Sequence, residues 1–383
     1  MLLLVTWIFI GSAAVHAVYY LFVFIRVASH KSKPSAKPVA NLSNATLEVS
    51  QTSLPPVTVL ICARDEAHNL KKYLPLVCEK RYPNDFEVLV VNDLSEDDTM
   101  EALFDLGRKY ANLDYRTIPE QAKVLKGKKF ALTIGVKAAK YPNIVLTDAD
   151  CYPSSPFWLQ RMASCFSDKK NIVLGFGGYE KRGGMLNKVI RYETFLSGLS
   201  YLSFAKIGMP YMGVGRNLAY TKQTFFSTNV FVKNPKLASG DDDLLVNAVA
   251  NGNNTAVCID KEGFTISGPK LTWDEWLFQK RRHVSTASHY KFGHKALLFL
   301  FQLSHVLFYA SLVLMLIYSE NYALVGGVFG FRLLLTFVVH FFAMKKLGTA
   351  DLWLWSPLFD ALYPLYLFIL MPGLKANPQS SWK

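Results

Sequence analysis

A chain of 383 residues that is 51% hydrophobic and 14% aromatic, with a mean hydropathy of +0.17, is too apolar for an ordinary soluble enzyme of its length. A formal net charge of +13 asks for an anionic partner. No nucleic-acid-binding motif accompanies that charge, so lipid headgroups and phosphates are the expected partners and nucleic acid is not, while five irregularly spaced cysteines (62, 78, 151, 165, 258) give neither a disulfide framework nor a paired-cysteine metal site.

Residues 2–25 form an uncharged run long enough to cross a hydrocarbon layer of about 30 Å. The charges Arg26, Lys31 and Lys33 follow the run instead of preceding it, as in a retained anchor (1–26) and unlike a secretory signal. By the positive-inside rule the chain beyond residue 26 is expected in the cytoplasm. Residues 27–56, rich in Ser, Pro, Asn and Thr, read as a linker.

Val57–Cys62 is a strand by composition, followed by Ala63-Arg64-Asp65-Glu66 and an amphipathic helix to about Glu79. A second strand, Phe86–Val91, runs into Asn92-Asp93-Leu94-Ser95-Glu96-Asp97-Asp98-Thr99 and a helix to about Tyr110. Helix capping by Asp93, Ser95 or Asp97 competes with a functional reading of this loop. Lys126-Gly127-Lys128-Lys129 opens an Ala-rich helix over 131–140, where it could hold a phosphate or be a solvated basic turn. The next strand, Asn143–Leu146, ends in Thr147-Asp148-Ala149-Asp150. Two carboxylates one residue apart beyond a strand's carboxyl end suit a hard cation such as Mg2+ or Mn2+, with a capping pair as the alternative. Strand, acidic loop and helix in repetition predict an α/β fold with a mostly parallel sheet and Asp65, Glu66, Asp93 and Asp148 at one edge.

Farther on, residues 186–207 and 271–284 are amphipathic with aromatics at the boundary. They are expected on the membrane surface, with packing against the sheet as the alternative. Lys280, Arg281, Arg282, His283, Lys291 and Lys295 then precede expected spans at 297–318, 322–343 and 353–371, the last interrupted by Pro357, Asp360 and Pro364. Lys345 and Lys346 put the last connection in the cytoplasm, leaving 57–295 as a cytoplasmic domain, 296–372 as membrane helices and 373–383 as a tail. Arg332 and Asp360 fall at matching depth on consecutive antiparallel spans and are expected to pair, with His305 beside them.

The order of motifs over about 57–290 resembles a family 2 glycosyltransferase with a GT-A domain, in the integral-membrane branch that includes cellulose synthases, hyaluronan synthases and ceramide glucosyltransferases. The motifs are Ala-Arg-Asp-Glu, the Asn92–Thr99 segment, Lys-Gly-Lys-Lys, Thr-Asp-Ala-Asp as the DxD motif, Ser-Gly-Asp-Asp-Asp-Leu-Leu at 239–245, and Gln279-Lys280-Arg281-Arg282-His283. The resemblance implies a Rossmann-like GT-A fold between membrane helices. It implies Glu66 and Asp93 at the nucleotide base and ribose, Lys128 near the nucleotide, Asp148 near the diphosphate or metal, and Asp150 as the ligand of Mg2+ or Mn2+. The loop Met212–Asn217, with Gly215 and Asn217, would lie beside the donor sugar and acceptor. Aligning the glycine and Leu245 makes Asp242 the general base, with Asp241 beside the substrate, while aligning Asp243-Leu244 shifts the register by one. Arg282 would hold the diphosphate with Gln279 nearby, and His283 stands where the family has a Trp of the acceptor site.

The implied activity is inverting, metal-dependent transfer from a nucleotide-sugar, UDP-linked by resemblance, to a lipid or lipid-linked acceptor at the cytoplasmic leaflet of a bacterial inner or plasma membrane. Processive polysaccharide synthesis is the alternative. About three C-terminal spans are few for a polymer channel, which would then need an oligomer or a partner subunit. A catalytically silent sugar-nucleotide or lipid binder is a second alternative, because His283 breaks a motif.

Overall fold

All seven residues of β1 (Val57–Ala63) are buried, because a run of β-branched and apolar residues with both faces covered is what a parallel strand presents. The computed structural model describes residues 2–31, 54–119, 128–233 and 240–371. Lys126, Gly127, Ser239, most of the linker and the tail therefore lie outside the described residues. The strands after β1 are β2 (Phe86–Asn92), β3 (Leu113–Thr117), β4 (Asn143–Leu146), β5 (Cys151–Pro153), β6 (Ile172–Gly175), β7 (Gly177–Tyr179), β8 (Leu218–Thr221), β9 (Thr255–Cys258) and β10 (Thr265–Ser267). Seven form one sheet in the order β3-β2-β1-β4-β8-β6-β9, and β5-β10-β7 form a small second sheet. Pairing is parallel from β3 through β4 and between β6 and β9, whereas β8 runs antiparallel to both its neighbours.

The principal helices are α1 (Leu2–Ala28), α2 (Ala67–Cys78), α3 (Thr99–Lys109), α4 (Lys128–Ala138), α5 (Trp158–Ala163), α6 (Met185–Lys206), α7 (Asp243–Val249), α8 (Trp273–Val284), α9 (Phe292–Tyr318), α10 (Tyr322–Leu347) and α11 (Ser356–Leu370). Alternation along β1 sends Val57, Val59, Ile61 and Ala63 to one face, under Leu70, Leu74, Leu103 and Trp158 of α2, α3 and α5. Leu60 and Cys62 face the other way, into a core that runs on through Phe195 and Leu199 of α6 to Tyr20, Val339, Met344 and Phe359 of the apolar helices. A single core thus docks the sheet onto the helical bundle.

Two expectations change here. β3 was not read from the sequence, because Leu-Asp-Tyr-Arg-Thr is an edge strand with only Leu113 buried, so the Asn143 strand is the fourth rather than the third. The 186–207 stretch is no surface helix: α6 buries Ile190, Phe195, Leu199 and Leu202 between sheet and bundle, since its apolar side is matched by two partners. Of the 271–284 stretch, Leu271, Trp273 and Phe278 are exposed, as a surface helix requires, while Trp276 is buried.

Four segments, Leu2–Ala28, Phe292–Tyr318, Tyr322–Leu347 and Ala350–Leu370, are long and apolar enough to cross a membrane. The interruptions expected in the last are each accommodated. Pro357 occupies the first turn of α11, where no N–H is needed. Pro364 is buried within the helix, and the Asp360 carboxylate accepts from two of the three guanidinium nitrogens of Arg332, Nη2 at 3.2 Å and Nη1 closer still. His305 joins as expected, through Nε2 to the Asp360 carbonyl at 2.9 Å. The sequence did not reveal His16, whose Nδ1 accepts from Arg332 Nε at 3.0 Å, or Tyr309, whose hydroxyl donates to Asp360 at 2.6 Å.

Candidate active site

The loops after β1 and β2 are tied to each other. Asp65 donates its N–H to Ser95 Oγ (2.9 Å) and accepts from the Glu96 N–H at 2.8 Å, while Asp97 accepts from the N–H groups of Ala67 (3.1 Å) and Thr99 (3.0 Å). The capping alternative therefore holds for Asp97, which accepts at the starts of α2 and α3, whereas Ser95 ties the two loops together without capping a helix. Both loops turn through left-handed backbone, Asp65 at φ 52° and Leu94 at φ 54°. Aspartate tolerates that region, but a leucine there is strained, a cost that the crossed hydrogen bonds offset.

A cleft of about 1290 Å³ opens beside these loops and collects Glu66, Lys128, Asp148, Asp150, Gly215, Asp241, Asp242, Gln279, Arg282 and His283. Sequence positions more than 200 apart thus converge on one volume. Glu66 is anchored by Asn69 Nδ2 at 2.5 Å. Asp93 sits fully buried at the end of β2, outside the cleft lining. Lys128, at the start of α4, donates to Asp148 and lies 3.8 Å from Asp241. Burial opposes its charge, yet Asp148 and Asp241 outweigh burial and hold the ammonium protonated.

Asn217 is the expectation that geometry redirects. Its side chain is buried and fully engaged, donating to the carbonyls of Phe176 (2.9 Å) and Gly263 (2.8 Å) and accepting from Trp158 Nε1 (3.0 Å). It welds the loop to the sheets and does not reach the cleft, because all its hydrogen-bonding capacity there is spent on the protein. The neighbour that does face the cleft is Arg216, which the sequence reading passed over. Its guanidinium stacks 4.5 Å from the Tyr179 ring centre, in space left by Gly177, where a Cβ would lie 2.5 Å from Arg216 Nε. The signal available in the sequence was the glycine pair Gly177-Gly178, which pointed to a close approach.

The three aspartates at 241–243 separate by environment. Asp243 is buried and accepts from the hydroxyls of Tyr290 (2.7 Å) and Thr286, so its carboxylate is committed to the fold. Asp242 caps α7 through the Asp243 N–H (2.8 Å), accepts from the Gly215 N–H at 2.6 Å, and borders the cleft. Burial, followed by the charges of Asp241 and Asp243, pushes its pKa up to about 8 against the pull of those two amides. On α8, enclosure in the cleft and then Lys280, Arg282 and Arg216 push the His283 pKa well down, so the ring is neutral.

Asp148, Asp150 and Cys151 place one ligand atom each within 4.8 Å of one another. The Cys151 thiol contacts Ser267 Oγ at 2.8 Å, and burial pushes its pKa well up, so it stays protonated and is a poor ligand. Burial and then Asp148 also raise the Asp150 pKa. Two crowded carboxylates whose repulsion a hard divalent cation would relieve fit Mg2+ or Mn2+. Asp150→Ala should weaken Mn2+-dependent binding of a nucleotide-sugar by about tenfold or more, read by calorimetry with and without the metal; equal affinity for both proteins would remove Asp150 from the metal site.

Residues 58–222 match the model of glycosyl transferase family 2. Those residues form a family 2 glycosyltransferase domain. Among curated relatives, glycosyltransferase AglE of Haloferax volcanii is 30% identical over 183 residues, 47% of this chain and 55% of that protein. The probable glycosyltransferase YdaM of Bacillus subtilis is 27% identical over 232 residues, 58% of this chain and 51% of its own. A beta-monoglucosyldiacylglycerol synthase of Trichormus variabilis is 31% identical over 110 residues, 28% of this chain and 23% of the synthase. The chain thus spans about half the length of the first two and less of the third. A mannosyltransferase from Pyrobaculum calidifontis, solved with GDP-Man and Mn2+, shares the GT-A fold: TM-score 0.56 at 16% identity, over 94% of this chain and 99% of that one.

The family 2 match stops before Asp241–Asp243 and Gln279–His283. Those two groups nevertheless line the cleft, carried by α7 and α8 beyond the matched segment.

Proposed function

We propose that the protein is a membrane-bound, inverting glycosyltransferase that moves a sugar from a nucleotide-sugar, a UDP-sugar on family resemblance, to a lipid or lipid-linked acceptor at the cytoplasmic leaflet. The observation that carries this reading is the continuity of the cleft. Its lining runs from Asp148, Asp150 and Asp242 at the sheet edge to Phe299, Leu303, Tyr363 and Phe368 on α9 and α11, two helices apolar enough to lie in a membrane. An acceptor could therefore reach the carboxylates without leaving the bilayer.

In this reading Glu66 serves the nucleoside end of the donor, Asp93, buried outside the cleft lining, supports the loop behind it instead of touching the donor, and Lys128 and Arg282 face the diphosphate. Mg2+ or Mn2+ held by Asp148 and Asp150 would neutralise charge building on the leaving diphosphate. Asp242 accepts the proton of the attacking hydroxyl, and the Gly215 N–H fixes its orientation. Attack from the side opposite the diphosphate, with one base and no protein nucleophile, inverts the anomeric centre. Gly215, Gln279 and His283 border the same space and contribute shape and neutral polarity where the acceptor enters.

Support for a common membrane side comes from the helix ends. Lys206, at the end of α6, donates to His30 Nδ1 at 2.9 Å, just past α1. Burial, Lys206 and then Lys346, near the end of α10, push the His30 pKa down to about 4. The basic ends of α1 and α10 thus meet the catalytic domain, as the positive-inside rule asks of a cytoplasmic face.

The test is incubation of the purified chain in lipid vesicles with radiolabelled nucleotide-sugars and a membrane lipid extract. Label entering the organic phase as one discrete lipid is expected. Label retained as a polymer would overturn the lipid reading and favour a processive polysaccharide synthase. A second check uses pH. A base with a pKa near 8 is protonated and idle below it, so kcat/KM for the acceptor should climb roughly tenfold per unit up to about pH 8 and then level; a flat profile between 6 and 8 would exclude Asp242 as the titrating base.

A further inference from the structure

Toward the start of α6 the cations have acids beside them. Arg191 and Lys181 pair with Asp351 at 2.7 Å and 3.3 Å, and Lys280 of α8 pairs with Glu193. At the other end of the same helix the pattern changes. Lys206 donates to the neutral ring of His30, and Arg26 Nε donates to the Phe22 carbonyl at 3.3 Å. Among the described residues neither of these cations forms an ion pair, and neither do Lys345 and Lys346 at the end of α10. These groups act on one another: burial and then Arg26 pull the Lys206 pKa down, and burial, Lys206 and then Lys346 pull down that of His30. Asp260, the acid that opposes them at His30, is itself paired with Arg161 at 3.5 Å. Half-buried cations gathered without a counter-charge gain from an anion placed among them.

Their place along the helices says which anion. Arg26 lies in the last turn of the Leu2–Ala28 segment, and Lys345 and Lys346 lie in the last turn of Tyr322–Leu347, both segments long and apolar enough to cross a membrane. One helical turn back, four residues before Arg26 and Lys346, stand Phe22 and Phe342, both exposed. Cations at the level where the hydrocarbon ends, each set above exposed apolar surface, fit a phosphate that carries acyl chains. A soluble anion matches only the charged half of that arrangement.

We propose that Arg26, His30, Lys206, Lys345 and Lys346 hold the phosphate of one anionic phospholipid, which ties the catalytic domain, through the end of α6, to α1 and α10 of the helical bundle. His30 takes part uncharged. With Nδ1 accepting from Lys206, its proton sits on Nε2 and makes a further donor. None of these residues lines the cleft, so the site is independent of the transfer reaction proposed above and its lipid is not the acceptor.

Native mass spectrometry of the full-length protein released from detergent micelles reads retained lipid directly. Offered phosphatidylglycerol and phosphatidylcholine of matched chains at equal concentration, the protein should retain one phosphatidylglycerol with a preference of about tenfold. Equal retention of the two, or retention of neither, would overturn the site without recourse to any variant. Arg26→Gln with Lys206→Gln and Lys346→Gln should abolish the preference, whereas Lys270→Gln with Lys295→Gln, at two cations that line the cleft, should keep it. The opposite pattern would put the lipid in the cleft and overturn the assignment. Displacement of the bound phosphatidylglycerol by excess inorganic phosphate, but not by sodium chloride of the same ionic strength, would show that the acyl chains contribute nothing and would overturn a lipid as the occupant. Thermal unfolding in nanodiscs reads the tie between domain and bundle. The parent protein should unfold at a higher temperature in phosphatidylglycerol than in phosphatidylcholine, and an equal Tm in the two lipids would overturn that tie.

Discussion

Asp242→Asn should lower kcat by about a hundredfold to ten-thousandfold while the protein still binds its nucleotide-sugar, because removing a general base takes away help that exists only in the transition state. The substitution keeps one of the two backbone bonds, because asparagine has a single acceptor oxygen and its Nδ2 would face the Gly215 N–H. Asparagine is as good an N-cap as aspartate, so the bond from the Asp243 N–H to the start of α7 survives. Stability gives a second readout. With a folded pKa near 8 and an ordinary unfolded value near 4, the folded protein binds a proton that the unfolded chain lacks between those limits. This group therefore makes the protein less stable as pH rises from about 4 to about 8, and Asp242→Asn should flatten that slope. Asp243→Asn should behave differently, losing stability through its bonds to Tyr290 and Thr286 more than it loses the chemistry. A variant series in which Asp243→Asn folds normally but is dead, and Asp242→Asn turns over, would move the base by one residue.

The second large effect is expected inside the helical bundle. Arg332→Leu should destabilise the protein by about 3–5 kcal/mol, because it strands the Asp360 carboxylate among apolar side chains. Arg332 and Asp360 are 1% and 2% exposed, and Tyr309, His305 and His16 complete their hydrogen bonds without supplying a replacement charge. Arg332→Leu with Asp360→Leu should recover most of the loss, since two apolar residues of similar size substitute for a buried pair at little cost. Thermal unfolding in detergent reads both. A double variant no more stable than Arg332→Leu would mean that the pair does more than cancel its own charge. Asp360 and His305 also border the cleft, so the pair fixes α9, α10 and α11 around its membrane end.

Much of this protein could be read in one dimension because its local signals are strong. Val57–Ala63 and Phe86–Asn92 are apolar runs that only a buried strand accommodates, and the acidic loops after them follow from where such strands end. The Arg332–Asp360 pair was legible too, since helical rise converts sequence position into depth, and depth makes a lone charge untenable.

What the sequence could not carry was direction. Nothing in Gly-Asp-Asp-Asp says which carboxylate turns into the cleft. Tyr290 and Thr286, more than forty residues downstream, bond the Asp243 carboxylate, while Asp242 accepts from the Gly215 N–H. In Gly-Arg-Asn the sequence reading singled out the asparagine and not the arginine, whereas packing against Trp158, Phe176 and Gly263 engages Asn217 and leaves Arg216 lining the cleft. The amphipathic pattern of Met185–Lys206 correctly demanded an apolar partner, but a helical period is the same whether that partner is lipid or protein. Periodicity and charge are properties of the chain itself. Which surface meets which, and where a side chain's last hydrogen bond goes, exist only once distant segments have been brought together.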